Sequence, residues 1–424
     1  MPLAIRRHRL ARRSGAFLLL LLLAWSCAPA TRQSAPADRP AGALPLVRVC
    51  LSEQLDGGRL RFEGAYVLHL EEARYDIDAS VGNFQIFYRG GAMVLRSARR
   101  FFQLDPGMPL QIRATGPQTR FFFNDVPYKG DLTLYLDGRD RLLVINRIDI
   151  QTYLRGVVPF EIPTVNPEHG SAIYAQTVAA RSYAMYHIDN PLHPQFDLYA
   201  DTRSQVYRGM ANPTELADAA VTATRGQVLV SSDAPARTEY HASSGGILNV
   251  PATRAALYDG HDNGVVYDRF RGDFNDRISP FYRWVERRDA ETIFANLQRE
   301  FVIDSSEVQA YLENGFEVDI DIQKRDPGGR VDEVVIRLGE REFFLEGFRI
   351  RRLLGDGEGN PLPSRLFFLK RSPRYPDLFW IVGAGAGHGR GMSQWGAIGL
   401  ALKGFTYERI LSFYYPDLVL QTRY

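Results

Sequence analysis

Between Ser171 and Tyr186 the chain reads SAIYAQTVAARSYAMY, with alanine, isoleucine, tyrosine, valine and methionine on every face of a helix and one full charge, Arg181. A helix that is apolar all round is wrapped by other elements, so the fold must be built around it. Asn166 can cap it, Pro167 suits its first turn, and Glu168 complements the positive end of its dipole. A guanidinium in such surroundings requires an anion, either a neighbouring carboxylate or an acidic group on a ligand, unless its stem carries the head out to water.

The segment that feeds this helix, Val157-Val-Pro-Phe-Glu161-Ile-Pro163, carries one carboxylate among apolar neighbours. Pro159 and Pro163 fix φ and bias Val158 and Ile162 away from the helical region, which predicts an extended, stiff segment. Desolvation by Val158, Phe160 and Ile162 raises a carboxyl's pKa toward neutrality, where it can serve as a general acid of the kind that glycosidic bond cleavage needs. The plainer reading is a solvated glutamate between two prolines.

The chain has 424 residues, 45% of them hydrophobic, enough for two or three domains with buried cores. Without the five arginines of the first thirteen residues, the balance is 46 basic to 49 acidic residues. Nothing in that asks for a nucleic acid. Residues 1–27 read as a secretory leader, with an arginine-rich start and the apolar run Ala16 to Trp25, too short to span a bilayer. Cys27 follows Leu23-Ala-Trp-Ser26, which resembles a lipoprotein box; cleavage after Ala28-Pro-Ala30 is the alternative. The expectation is an exported protein of the periplasm or cell envelope, touching a membrane only through a lipid at Cys27. Cys50 is the other cysteine, so an internal disulfide and a cysteine-based zinc site are not expected.

Residues 28–45, poor in large apolar side chains, read as a tether. From 46 to 150 short alternating segments predict a β-rich module, clearest in Asp131 to Leu136 and Arg141 to Asn146 around Asp137-Gly138. Residues 151–424 mix helices and strands, with a subdomain at about 285–345, so the fold class is α+β. Glycine at every second position from Gly383 to Gly391 permits close backbone approach, but it matches no nucleotide-binding loop. His241-Ala-Ser243-Ser244-Gly-Gly sets hydroxyls beside a base, as in a Ser/His hydrolase, but no nucleophile elbow is present.

Several of these stretches, in order, resemble the signature of the SpoIID/LytB family of bacterial cell-wall proteins. They are Tyr153-Leu-Arg-Gly-Val-Val-Pro-Phe-Glu161-Ile-Pro, Ala175-Gln-Thr-Val-Ala-Ala-Arg181-Ser-Tyr-Ala, His241-Ala-Ser-Ser-Gly-Gly, Gly387-His388-Gly-Arg-Gly-Met-Ser-Gln394-Trp-Gly-Ala and Tyr414-Tyr-Pro. The resemblance implies a lytic transglycosylase cutting peptidoglycan between N-acetylmuramic acid and N-acetylglucosamine, with Glu161 as its single acid and base. The alternative it offers is a glycan-binding enhancer of a separate amidase. It places Gln205 and Tyr207 near the active groove, and His241, Ser243, Ser244, His388 and Gln394 along it. Arg181 either neutralises the lactyl carboxylate of the sugar or tunes Glu161. A zinc described for some family members is not expected here, because the segment at His241 has no cysteine, and no other cofactor is implied.

Overall fold

The structure, a computed structural model, describes residues 43–424 apart from 55–56, 78–82, 139–140, 304–307 and 310–316. The expected leader and lipobox, and most of the tether, lie outside the described residues. Among the described residues no helix is long and apolar enough to cross a membrane.

The first hundred described residues form two antiparallel sheets over one core. Six strands are arranged in the order Val126–Tyr128, Arg120–Phe123, Gly58–Glu63, Phe84–Arg89, Ala92–Arg96 and Phe101–Leu104. Tyr66–Leu70, Ala73–Ile77, Pro109–Ala114, Asp131–Leu136, Leu142–Asp149 and Leu46–Ser52 belong to a second, seven-stranded sheet. Alternation explains the strands: Leu132, Leu134 and Leu136 are fully buried while Asp131, Thr133 and Tyr135 are less so. The stretch from Leu60 to Leu70, which reads as one β-run by its sequence, forms two strands, because Gly64 turns the chain at φ +83 where a side chain would be strained.

The seventh strand, Leu198–Tyr199, comes from beyond the long helix and pairs in parallel with Leu46–Ser52. Asp197, almost fully buried, accepts from the Arg48 amide at 2.8 Å and from its guanidinium at 2.6 and 3.0 Å, clamping the return. The β-rich module therefore shares one continuous hydrophobic core with the helices that follow it. The long helix, Gly170–Asp189, lies inside that core with buried residues on all its faces, as its composition requires. Asn166 caps the 3-10 turn Pro167–His169 that leads into it. Around it pack Glu215–Ala223, Gln394–Leu402, Tyr407–Tyr414 and the strand Gln227–Ser231.

A second core runs from Ala290 to Ile381. The helix Ala290–Glu300 packs there with the sheet Val318–Arg325, Val331–Leu338, Arg341–Glu346 and with the strands Trp284–Asp289, Leu378–Gly383 and Phe367–Arg371. The α+β reading holds at this level: strand-rich, with few helices.

Candidate active site

Glu161 ends a short helix, Val158–Glu161, rather than lying on an extended segment. Pro159 sits in the first turn, where its missing N–H has no intrahelical acceptor in any case, so Val158 becomes helical. The expectation for Pro163 is met: Ile162 is extended, at φ −137 and ψ 145, and the helix stops there.

The half-buried Glu161 is held by three neutral donors. The Val206 amide donates to Oε1 at 2.7 Å, Gln394 Nε2 lies 3.4 Å from Oε2, and the Tyr240 hydroxyl hydrogen-bonds the carboxyl as well. Burial raises its pKa to about 7, and the three hydrogen bonds, which favour the anion, hold it from going higher. Behind Tyr240 the donors run in series. Gln205 Nε2 donates to the Tyr240 hydroxyl at 2.9 Å and to the Ala180 carbonyl at 3.2 Å, and the Tyr153 hydroxyl donates to Gln205 Oε1 at 2.9 Å. Gln394 Nε2 also lies 3.5 Å from Oε1 of Gln176, which projects from the long helix. None of the described groups bonded to Glu161 is a second carboxylate.

Each of these groups has a local reason for its position. Ser393 caps the helix Gln394–Leu402, its hydroxyl accepting from the Gly396 amide at 3.1 Å, which fixes Gln394 at the first turn. The two-residue strands Tyr240–His241 and Met392–Ser393 pair in parallel. Neighbours on a strand face opposite ways, so only one of Tyr240 and His241 can point at Glu161, and it is Tyr240. His241, expected along the groove, is therefore turned away from the acid.

His241 is buried on the other face, with Nδ1 3.0 Å from the Arg390 carbonyl. Burial, with His388 and Arg330 nearby, pushes its pKa well below the usual value, so the ring is neutral. The His388 ring centroid is 5.6 Å from it. The Arg390 amide donates to Nδ1 of His388 at 3.1 Å, and burial with the Arg390 guanidinium lowers its pKa to about 4. Ser243 and Ser244 do not bond His241. Their hydroxyls donate to Asp276 at 2.6 Å and Asp268 at 2.8 Å, both buried carboxylates, which removes the hydrolase arrangement. Tyr207, fully buried, donates to Asn146 at 2.8 Å and packs on Tyr153, so it belongs to the core.

Arg181 is fully buried and finds no carboxylate. Its guanidinium donates to Thr224 Oγ1 at 3.1 Å, Gln227 O at 3.2 Å, and Gln151 Oε1 and Val221 O at 3.3 Å. The expected anion is replaced by the end of the helix Glu215–Ala223, whose last carbonyls carry the negative pole of the helix dipole. The structure thus joins Glu161, Gln394 and Gln205, the last through Tyr240, and assigns Arg181 and Tyr207 to the scaffold. Tyr240, Gln176, Asp268 and Asp276 escaped the sequence reading. A long amide side chain in a helix buried on every face was the available signal for Gln176.

Near His241 no thiolate is present, and among the described residues no group of three or more His, Cys, Asp or Glu is placed to hold a metal. Cys50 is buried at a distance in sequence, and burial pushes its thiol to about 12.

Glu161, Gln205 and Val206 lie in a stretch of the chain that matches a known family. Residues 138–230 match the SpoIID family model, described as stage II sporulation protein, and residues 261–391 match a domain of unknown function, DUF8618. The segment 138–230 is thus similar to the SpoIID family, and that likeness points to a role at the bacterial cell wall. Stage II sporulation protein D of Bacillus subtilis is 28% identical over 287 residues, 64% of this chain and 74% of that protein. An uncharacterized protein of Brachyspira hyodysenteriae is 28% identical over 299 residues, 70% of this chain and 73% of the relative.

Proposed function

We propose that this is an exported lytic transglycosylase that cleaves peptidoglycan glycan strands with Glu161 as the only acid and base. The observation that carries the reading is a carboxyl with a pKa raised to about 7, caged by neutral donors and without a bonded carboxylate partner. Near neutral pH such a group is substantially protonated and can donate to the oxygen leaving C1 of the muramic acid. The C1–O bond breaks, charge develops on the sugar, and the new carboxylate is stabilised by the Val206 amide, Gln394 and Tyr240. It then takes the proton from the sugar's own C6 hydroxyl as O6 bonds to C1. That step closes a 1,6-anhydro ring and returns Glu161 to its acid form, with no water consumed. A hydrolase would ordinarily need a second carboxylate to hold a water or the glycosyl group.

The test is digestion of purified glycan strands, with and without stem peptides, followed by mass spectrometry for anhydro ends. Wild type should produce them and Glu161→Gln should not. Anhydro ends from both proteins would remove Glu161 from the chemistry. Binding without any cleavage would leave a glycan-binding protein that acts through a partner amidase.

A further inference from the structure

Adjoining the Glu161 cage is a pocket of about 210 Å³, walled among others by Arg203, Arg237, Glu239, Tyr240, His388 and Arg390. Its cations are unevenly matched. Arg203 is turned to Asp201 at 2.7 Å and Glu53 at 2.5 Å, while Arg390 at 2.8 and 3.0 Å and Arg237 at 3.3 Å share the single carboxylate of Glu239. With His388 neutral, the last three residues leave one positive charge in excess, and both guanidiniums keep about half of their side-chain surface exposed.

These heads are not on loose loops. Glu239 and Arg390 flank the paired strands that carry Tyr240. The Arg390 carbonyl accepts from His241, and the Glu239 carbonyl accepts from the Tyr415 hydroxyl at 2.7 Å. Across the pocket Ser204 is two residues from Val206, whose amide holds Glu161. The positive pocket and the Glu161 carboxyl are therefore fixed relative to each other by Tyr240 on one side and residues 204–206 on the other. A site of this volume admits one substituent of a sugar, not a disaccharide.

We propose that this pocket binds the carboxylate of the lactyl ether on muramic acid, through Arg237 and Arg390, and thereby selects which glycosidic bond is set against Glu161. The proposal rests on the reading that the substrate is the peptidoglycan strand. In a strand freed of its stem peptides, which otherwise amidate the lactyl group, the sugars alternate between one that bears an acid and one that does not, so capturing the acid fixes the register of the strand. It replaces Arg181 as the partner of the lactyl group, since Arg181 has no free face.

The test measures binding, with no bond broken. Glu161→Gln is titrated calorimetrically with a peptide-free muramic acid-containing tetrasaccharide, with the same compound capped as its lactyl methylamide, and with chitotetraose. The acid form should bind about tenfold or more tightly than either neutral form. Arg237→Gln and Arg390→Gln, added singly, should each shrink that ratio toward one, and so should high salt. Equal affinity for acid and methylamide, a ratio unchanged in both arginine variants, or no binding of the acid form would each overturn the proposal. Anhydro-end formation is scored separately. Cleavage without acid preference defeats only the pocket, and acid preference without cleavage defeats only the enzymatic reading.

Discussion

Replacing Glu161 with glutamine should stabilise the protein, and only above a definable pH. The carboxyl's ordinary value of 4.5 rises to about 7 in the folded chain, because burial disfavours its charge. The folded state therefore holds this proton more tightly than the unfolded state. The resulting stability is complete below about pH 4.5, falls away as pH rises through about 7, and is absent beyond it. At 1.36 kcal/mol per pH unit the rise amounts to ~3 kcal/mol, and because Glu161 is half-buried rather than sealed, solvent screening brings the effect to ~1–2 kcal/mol. Glutamine has the shape of the protonated acid and loses nothing with pH. For a chain of this size the variant should melt about 1–3 °C above wild type at pH 8.5 and level with it, apart from a pH-independent offset, at pH 4. Scanning calorimetry at half-unit steps between these limits reads the gap directly. A gap that is constant with pH, or that widens toward acid, would refute the claim that position 161 is a carboxyl with a raised pKa.

Cleavage itself should decline as pH rises through about 7, the limb on which the acid form of Glu161 is lost, as read from anhydro-end formation across pH. Tyr240→Phe removes a hydrogen bond that favours the anion, so the same limb should move to higher pH, whereas a purely structural loss would lower the rate without moving it. Arg181→Met takes a donor from Gln151 Oε1 and from the Gln227 and Val221 carbonyls, the last keeping Gln151 Nε2, and should cost about 3 kcal/mol or more in denaturant unfolding. It should leave the methylamide discrimination of the folded fraction intact. Gly391→Ala meets both a φ of +66 and the Glu239 carbonyl oxygen in the path of the new Cβ. Expected is a loss of more than about 2 kcal/mol, seen as a lowered melting temperature and weakened glycan binding, because the Glu239 and Arg390 segments are forced apart.

Much of the scaffold is legible in the sequence because its causes are local. Period-two alternation marks Asp131–Leu136, and Thr406 and Asn166 cap as their short polar side chains suit them to do. The all-round apolar pattern of residues 171 to 186 fixes a central helix wherever the rest of the chain goes, because no aqueous surface could stabilise it. The direction of the Glu161 shift is also the one its apolar neighbours suggest, and in the fold burial raises it.

Partner choice is another matter. The groups that hold Glu161 stand 45 and 233 residues away, at Val206 and Gln394, and nothing in either stretch names the other. Arg181 looks identical in sequence whether it meets a carboxylate or the end of a helix, and only the packing of Glu215–Ala223 against the long helix decides it. Which of Tyr240 and His241 faces the acid turns on the register of two short strands brought together by tertiary contact. The sequence by itself determined where the apolar surface had to go and which acid would stand beside it. Only the tertiary structure decided which polar groups meet across that surface, because burial is a property of each residue and its near neighbours, whereas a hydrogen bond is a property of two places in the fold.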